Sequence, residues 1–226
     1  VIVTIDGPAG AGKSSVAKRL AEFVGFNHLD SGAFYRCYAW LANNDSVSLD
    51  SKEDVQAMLD SSELKADFNQ NPPQYWINGI NVTDHIRTNA VSSIVSEIAK
   101  IGIVRTCIVK QLRAVAEHGN FVIEGRDIGT VVFPHAGVKF YLTASIEERA
   151  RRRYKELQAK GENVDLKSLE LQIQNRDYED SHREIAPLTR PENSIEIDCT
   201  NLSIDEVIAA MAEQIPESEA KGAKTC

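Results

Sequence analysis

The sequence predicts an α/β fold on a five-stranded parallel sheet, and three observations carry that expectation. Short β-rich runs alternate with segments of helical periodicity, the order that builds a parallel sheet covered by helices on both faces. The first run passes through a glycine-rich loop straight into a helix. One segment breaks the alternation with an Asn-Gly pair between two β-rich runs, which signals a small antiparallel insert.

The expected strands are residues 1–6, 26–30, 121–125, 138–143 and 194–199. After the first, Val16, Ala17, Leu20, Phe23 and Val24 recur at helical spacing up to a stop at Gly25. Ser145-x-x-Glu148 and Ser203-x-x-Glu206 each have the form of a capping box, and Gly119 and Gly161 stand where helix ends call for a left-handed residue. The insert is expected in 64–83, where Tyr75-Trp76-Ile77, Asn78-Gly79 and Ile80-Asn81-Val82 read as a hairpin. No repeat or flexible linker is found, and only 216–226 reads as disordered.

Composition sets bounds. A chain of 226 residues is long enough for one α/β domain with insertions. A net charge of −8 argues against a nucleic-acid-binding surface, which needs a basic face to displace counterions. Cys37, Cys107, Cys199 and Cys226 are widely separated, so neither a disulfide framework nor a zinc site is expected and a reducing cytoplasm fits. No apolar stretch approaches the roughly 18 residues of a membrane span, and no secretory leader is read.

The loop itself carries the chemistry. Gly7-Pro8-Ala9-Gly10-Ala11-Gly12-Lys13-Ser14 fits G-x-x-x-x-G-K-[ST] at every fixed position, between a strand and a helix as that motif requires. Its backbone N–H groups would cradle phosphates together with Ser15, Lys13 would bring a cation to the β/γ oxygens, and the Ser14 hydroxyl would ligate Mg2+. A nucleoside triphosphate is the expected ligand.

Three further clusters narrow the reading. Asp30-Ser31-Gly32 ends the second strand and opens a helix carrying Tyr35 and Arg36, at the sheet edge where ligands bind in open α/β folds. Glu124-Gly125-Arg126-Asp127 holds the corresponding place after the third strand. From Asp165 a helix begins with Leu166, Leu169 and Ile173 on one face, which then turns ionic through Arg176, Asp180 and Arg183. Arg149 and Arg153, with Arg152 beside them, form a second basic stripe upstream, joined to that helix through Lys160-Gly161-Glu162-Asn163. A solvated charged face is the ordinary explanation of such stripes. Paired here, they suggest a flap whose cations close over transferring phosphates.

These motifs resemble the bacterial-type cytidylate kinases, within the nucleoside monophosphate kinases. The resemblance runs from Thr4-Ile5-Asp6-Gly7-Pro8 through Leu29-Asp30-Ser31-Gly32-Ala33-Phe34-Tyr35-Arg36, Asn81-Val82-Thr83, Ile86-Arg87-Thr88, Gly125-Arg126-Asp127-Ile128-Gly129-Thr130-Val131-Val132-Phe133-Pro134 and Arg176-Asp177-x-x-Asp180-x-x-Arg183-x-x-x-Pro187-Leu188. It implies a P-loop kinase core (1–57, 99–148, 184–215), a monophosphate-binding insert at about 58–98 and a lid at about 149–183. The implied reaction moves the γ-phosphoryl of ATP to CMP or dCMP with Mg2+, in a cytoplasmic monomer that binds neither nucleic acid nor membrane.

By the same resemblance Arg36 and Arg126 would hold the acceptor phosphate, with Tyr35 beside them. Ser31, Ser96, Arg105, Asp127 and Arg183 would surround the cytosine, and Arg176 and Asp180 would meet the sugar hydroxyls. Arg149 and Arg153 would descend onto the ATP, so that Lys13, Arg126, Arg149, Arg153, Arg176 and Arg183 are the expected catalytic cations. Cys199-Thr200 and Glu192-Asn193-Ser194 depart from the usual pattern on the adenine side. Two other readings stay open: a kinase for UMP, AMP or a sugar acid, and a nucleotide-binding switch, which would need an Asn-Lys-x-Asp element that the chain lacks.

Overall fold

A computed structural model describes residues 1–68, 70, 72–159 and 161–216. The chain forms two compact units, Val1–His28 with Gly119–Cys226, and Leu29–His118. Their boundaries enclose a longer stretch than the expected 58–98 insert. The expected disordered tail lies, from residue 217 on, outside the described residues.

The first unit is built on a five-stranded parallel sheet in the order β2-β6-β1-β7-β8. Its strands are β1 (Ile2–Asp6), β2 (Asn27–Asp30), β6 (Phe121–Gly125), β7 (Val138–Thr143) and β8 (Ile195–Asp198), within a residue of the expected runs at either end. β1 is central and pairs in parallel with β6 on one side and β7 on the other. The chain moves outward from β1 to β2, returns to β6, then crosses to β7 and β8, so the strand order reverses beside β1. That reversal opens a crevice at the carboxyl ends of the strands, and the glycine-rich loop leaves β1 there.

The sheet and two helices share one apolar core. Val3, Ile5, Phe140 and Leu142 pack with Val16, Leu20 and Val24 of α1 (Lys13–Val24) and with Val207, Ile208 and Met211 of α8 (Ile204–Ala212). Gly25 ends α1 in the left-handed conformation, as expected. Phe23 does not join this core; it is among the exposed large side chains, because α1 turns that position outward. Ser203 and Glu206 form the full capping box on α8. Ser145 forms half of one: its hydroxyl accepts from Glu148 N–H, but its own N–H donates to Thr200 Oγ1, and the Glu148 carboxylate turns to Arg151 and Arg152.

α6 (Ile146–Ala159) and α7 (Leu166–His182) pack as a hairpin around Ala150, Leu157, Leu169 and Ile173. Asp165 caps α7 through Ser168 N–H, and Gly161 takes the left-handed conformation. Leu166 is exposed rather than packed, since the first turn of α7 reaches past its apolar stripe. Arg183 also leaves the expected stripe: it is the extended residue that follows the helix.

The second unit holds α2 (Ser31–Asn44), α3 (Lys52–Asp60), α4 (Asn89–Ile98) and α5 (Gly102–Ala116) with an antiparallel sheet of β3 (Leu64–Asp67), β4 (Gln74–Ile77) and β5 (Ile80–Asn81). The hairpin forms where Asn-Gly marked it. Asn78 and Gly79 both have positive φ, the twist that suits a two-residue turn. α5 ends at Ala116 without a left-handed residue, so Gly119 is no helix cap. A Cβ on Gly119 would lie 3.3 Å from the Phe121 ring, and that close approach accounts for the glycine.

Candidate active site

In the first unit the loop Gly7–Ser14 is pressed against its surroundings. A Cβ on Gly7 would stand 2.0 Å from the Leu142 carbonyl oxygen, so only glycine fits. Gly12, left-handed, is the N-cap of α1 and carries no side chain to cap it; the first N–H groups of α1 therefore face the loop as an anion-binding end. Lys13 is buried, donates from Nζ to the Pro8 carbonyl at 2.7 Å and is pushed down to about 7 by burial and by Arg126.

Glu124, the last residue but one of β6, interacts with this lysine. Burial alone would raise its carboxyl, but His28, 3.8 Å away, with Lys13 and the Ser14 hydroxyl, outweighs burial and holds it below the usual range. Arg126 follows, half-buried, with Nε donating to Asp180 Oδ2 at 2.8 Å. Burial and the nearby Arg126 push the Arg176 guanidinium down. Asp180 is held low because Arg126 and Arg176 outweigh the opposing effect of its burial. Lys13, Arg126, Arg176 and Asp180 are thus brought together at one strand end. Next to them Arg183 Nη2 meets Asp127 Oδ1 at 3.4 Å, both side chains nearly inaccessible.

The remaining predicted arginines go elsewhere. Arg149 is buried and braced, with Nε on the Ala144 carbonyl, and Nη1 on the Ala9 carbonyl at 2.9 Å and on Asp177 Oδ2 at 2.6 Å. It supports the phosphate-binding loop from the α6 side. Arg152 does similar work through the Cys199 carbonyl at 2.7 Å and Glu148 at 2.9 Å. Arg153 is exposed and pairs with Glu156 at 3.1 Å. The stripe is therefore not a bare row of cations: Arg149 pairs with Asp177 and Arg153 with Glu156, and Arg152 shares Glu148 with Arg151.

In the second unit Tyr35 and Arg36 leave α2 side by side. The Arg105 guanidinium lies 5.5 Å above the Tyr35 ring and donates to the Ala99 carbonyl at 2.9 Å. Arg36 Nη1 donates to Ser92 Oγ at 2.9 Å and to the Ile86 carbonyl at 3.2 Å. Ser92 and Ser96 are one turn apart on α4, so Ser96 sits on the face that Arg36 reaches. Ser31, the first residue of α2, is buried.

Asp6, Glu124, Asp177 and Ser92 make contacts in the site that carry no expected role above. Asp6 and Glu124 had a signal: each is a carboxylate at or next to the end of an otherwise apolar β-rich run. Ser92 had none, and Asp177 had only its place beside Arg176 in the motif, because their partners are distant in sequence.

A phosphate-binding loop at the reversal point of a five-stranded parallel sheet, with buried cations gathered around it, defines a P-loop phosphotransferase. The family model for cytidylate kinase matches residues 3–217. The cytidylate kinase of Halalkalibacterium halodurans is 45% identical over 95% of this chain and 97% of its own. That of Geobacter sulfurreducens is 43% identical over 97% and 94%. The chain belongs to the cytidylate kinase family. Solved structures agree on the fold: shikimate kinase from Bacteroides thetaiotaomicron aligns at TM-score 0.50 and 13% identity over 95% of this chain and 97% of that one. An uncharacterized protein from Eubacterium ventriosum aligns at 0.52 and 14%, over 95% and 98%.

Proposed function

We propose that this chain transfers the γ-phosphoryl group of ATP to CMP or dCMP. Membership of the family supports the reaction, and the observation that carries it is the convergence of Lys13, Arg126 and Arg176 at the mouth of the glycine-rich loop. Phosphoryl transfer asks little covalent chemistry of the protein; it needs both phosphates held in line and charge on the equatorial oxygens neutralised. Cations that depress one another's proton affinity suit that task, because phosphate oxygens relieve their repulsion. The acceptor phosphate is already anionic, so no strong general base is needed.

Gly7, Pro8, Ala9, Gly10, Ala11, Gly12 and Ser15 bind the ATP phosphates. The Ser14 hydroxyl and the low-lying Glu124 carboxylate are neighbouring hard oxygen groups, a set that fits Mg2+. When bound, that ion neutralises β/γ-phosphate charge. Arg126 and Arg36 take the acceptor phosphate, for which a planar fork is suited. Asp127 and Arg183, with Ser31, Ser96 and Arg105, read cytosine, whose exocyclic amine needs an acceptor and whose N3 and O2 need donors. Arg176 and Asp180 hold the sugar hydroxyls. Residues 58–98 act as the acceptor insert and 149–183 as a lid that excludes water and brings Arg153 toward ATP, while Arg149 already meets the phosphate-binding loop at the Ala9 carbonyl. A cytoplasmic monomer completes this reading. Among the described residues no helix is long and apolar enough to cross a membrane.

The test is ADP release from ATP and Mg2+ with a panel of nucleoside monophosphates. CMP and dCMP should lead UMP, with AMP and GMP poor. UMP reverses donor and acceptor at two positions, and each mismatched contact costs roughly 1 to 3 kcal/mol. UMP turned over as efficiently as CMP would overturn the base-reading roles.

A further inference from the structure

Asp6 is the last residue of β1 and stands level with Gly125, the last residue of β6, in the parallel register. One step further both strands leave the sheet. β1 enters the phosphate-binding loop, and β6 enters Arg126-Asp127 and then a single π-turn, Ile128–Val132, closed by Val132 N–H on the Asp127 carbonyl at 3.1 Å. Asp6 joins the two exits. Its Oδ1 accepts the Ile128 N–H and its Oδ2 the Gly129 N–H, both at 2.7 Å, and the side chain is inaccessible to solvent.

Those two N–H groups begin the π-turn, where a helical segment leaves donors without partners of its own. The residue placed to cap them locally is Asp127, yet its side chain makes no cap bond. It pairs with Arg183 instead. Asp6 does the capping from the neighbouring strand, which leaves the Asp127 carboxylate for another use. The approach is close: a Cβ on Gly129 would stand 3.1 Å from Asp6 Oδ2 and 2.9 Å from Thr4 Oγ1. An ionised carboxylate that accepts one backbone N–H on each oxygen, from consecutive residues, fixes the turn's rotation, and with it the direction in which Arg126 and Asp127 leave β6.

We propose that Asp6 is a positioning residue for the acceptor: it caps the π-turn from outside and thereby aims Arg126 and Asp127 at the nucleoside monophosphate. This rests on the reading that those two residues meet the acceptor. The structure joins Asp6 to the donor loop through the chain and to the acceptor turn through hydrogen bonds. The hydrogen bonds are what substitution removes, so the acceptor side is where the loss should fall.

The experiment compares the parent with Asp6→Asn and, independently, Gly129→Ala, which strains the same contact without removing the carboxylate. The acceptor used is whichever monophosphate the parent phosphorylates best. Should that not be CMP or dCMP, the cytosine reading fails, while Asp6 is still judged on the split between acceptor and donor. Replacing one oxygen by an amide turns a charge-assisted acceptor against an N–H, so the acceptor KM should rise roughly tenfold to a hundredfold in Asp6→Asn, with the KM for ATP within about threefold of the parent. Gly129→Ala should show the same imbalance, and its folding suffices for the test if Asp6→Asn fails to fold. Acceptor and donor constants that shift together in the folded variants, or an acceptor KM that does not move, would overturn the inference.

Discussion

Charge is handled in opposite ways at the carboxyl edge of the sheet and along the α6–α7 hairpin. At the edge, Lys13 and Arg176 are both pushed down by burial and by the neighbouring Arg126, and the cations share Asp180 and Glu124 rather than holding one carboxylate each. Along the hairpin, Arg149 has Asp177 and Arg153 has Glu156, and Arg152 divides Glu148 with the exposed Arg151. A crowded set of cations is costly unless an anion arrives, which is what a phosphate site offers. Cations with carboxylates already at hand, one of them joining α6 to α7 through Arg149 and Asp177, need no ligand. The difference separates residues expected to act from residues expected to support.

The largest effect that separates the two regions should come from Arg149→Ala. Its guanidinium is buried against Asp177 and two carbonyls, one of them in the phosphate-binding loop. Removing one partner of a buried pair leaves the other uncompensated, and the expected loss of stability is about 3 to 5 kcal/mol. Urea denaturation measures it. A loss under about 1 kcal/mol would make Arg149 a surface cation after all and weaken the contrast.

Lys13→Ala should do the reverse, with little change in stability and turnover reduced roughly a hundredfold to a thousandfold, as when one preorganised electrostatic group is removed. Steady-state kinetics decide this. Activity within about threefold of the parent would end the role of Lys13 as phosphate cradle.

These two residues also show where the sequence was legible and where it was not. Lys13 was readable because its function lies in a contiguous motif, and the strands around it were readable because β-rich runs and loop glycines are local signals. Arg149 was readable only as a member of a stripe. Spacing of four residues told that Arg149 and Arg153 share a helix face, yet one is buried and the other exposed, because Asp177 and Ala9, which decide the matter, are far away in sequence. The same holds for Asp6, whose two partners lie 122 and 123 residues downstream. Phe23 and Leu166 were misread for a related reason: periodicity gives a face, but not how far the packed surface extends along it.

A smaller effect concerns pH. Burial raises the Asp6 carboxyl to about 6, more than its two backbone hydrogen bonds lower it. Between the ordinary 3.8 and about 6 the folded chain keeps a proton that the unfolded chain has released. Folding therefore binds a proton in that window, and the Asp6 contribution to stability falls as pH rises, by about 3 kcal/mol at most. Asp6→Asn has no group to titrate there. The parent's stability relative to this variant should decline from pH 4 to pH 6.5 in urea titrations. A difference that stays constant would place the Asp6 carboxyl at its ordinary value.

Arg153→Ala should give the smallest change and the sharpest test of the lid. Its pair with Glu156 is exposed, and such pairs contribute at most a few tenths of a kcal/mol, so stability should stay within about 0.5 kcal/mol of the parent. If 149–183 closes over ATP, Arg153 trades Glu156 for a phosphate in the closed state, and kcat should fall by about tenfold, the worth of roughly 1.4 kcal/mol of added charge stabilisation. Amide exchange with a bisubstrate analogue bridging ATP and CMP supplies the second readout, because closure predicts slower exchange across 149–183 in its presence. Unchanged kcat together with unchanged exchange would leave Arg153 a solvated surface charge. The hairpin would then be a rigid buttress, held by the Arg149–Asp177 pair, rather than a moving part of the site.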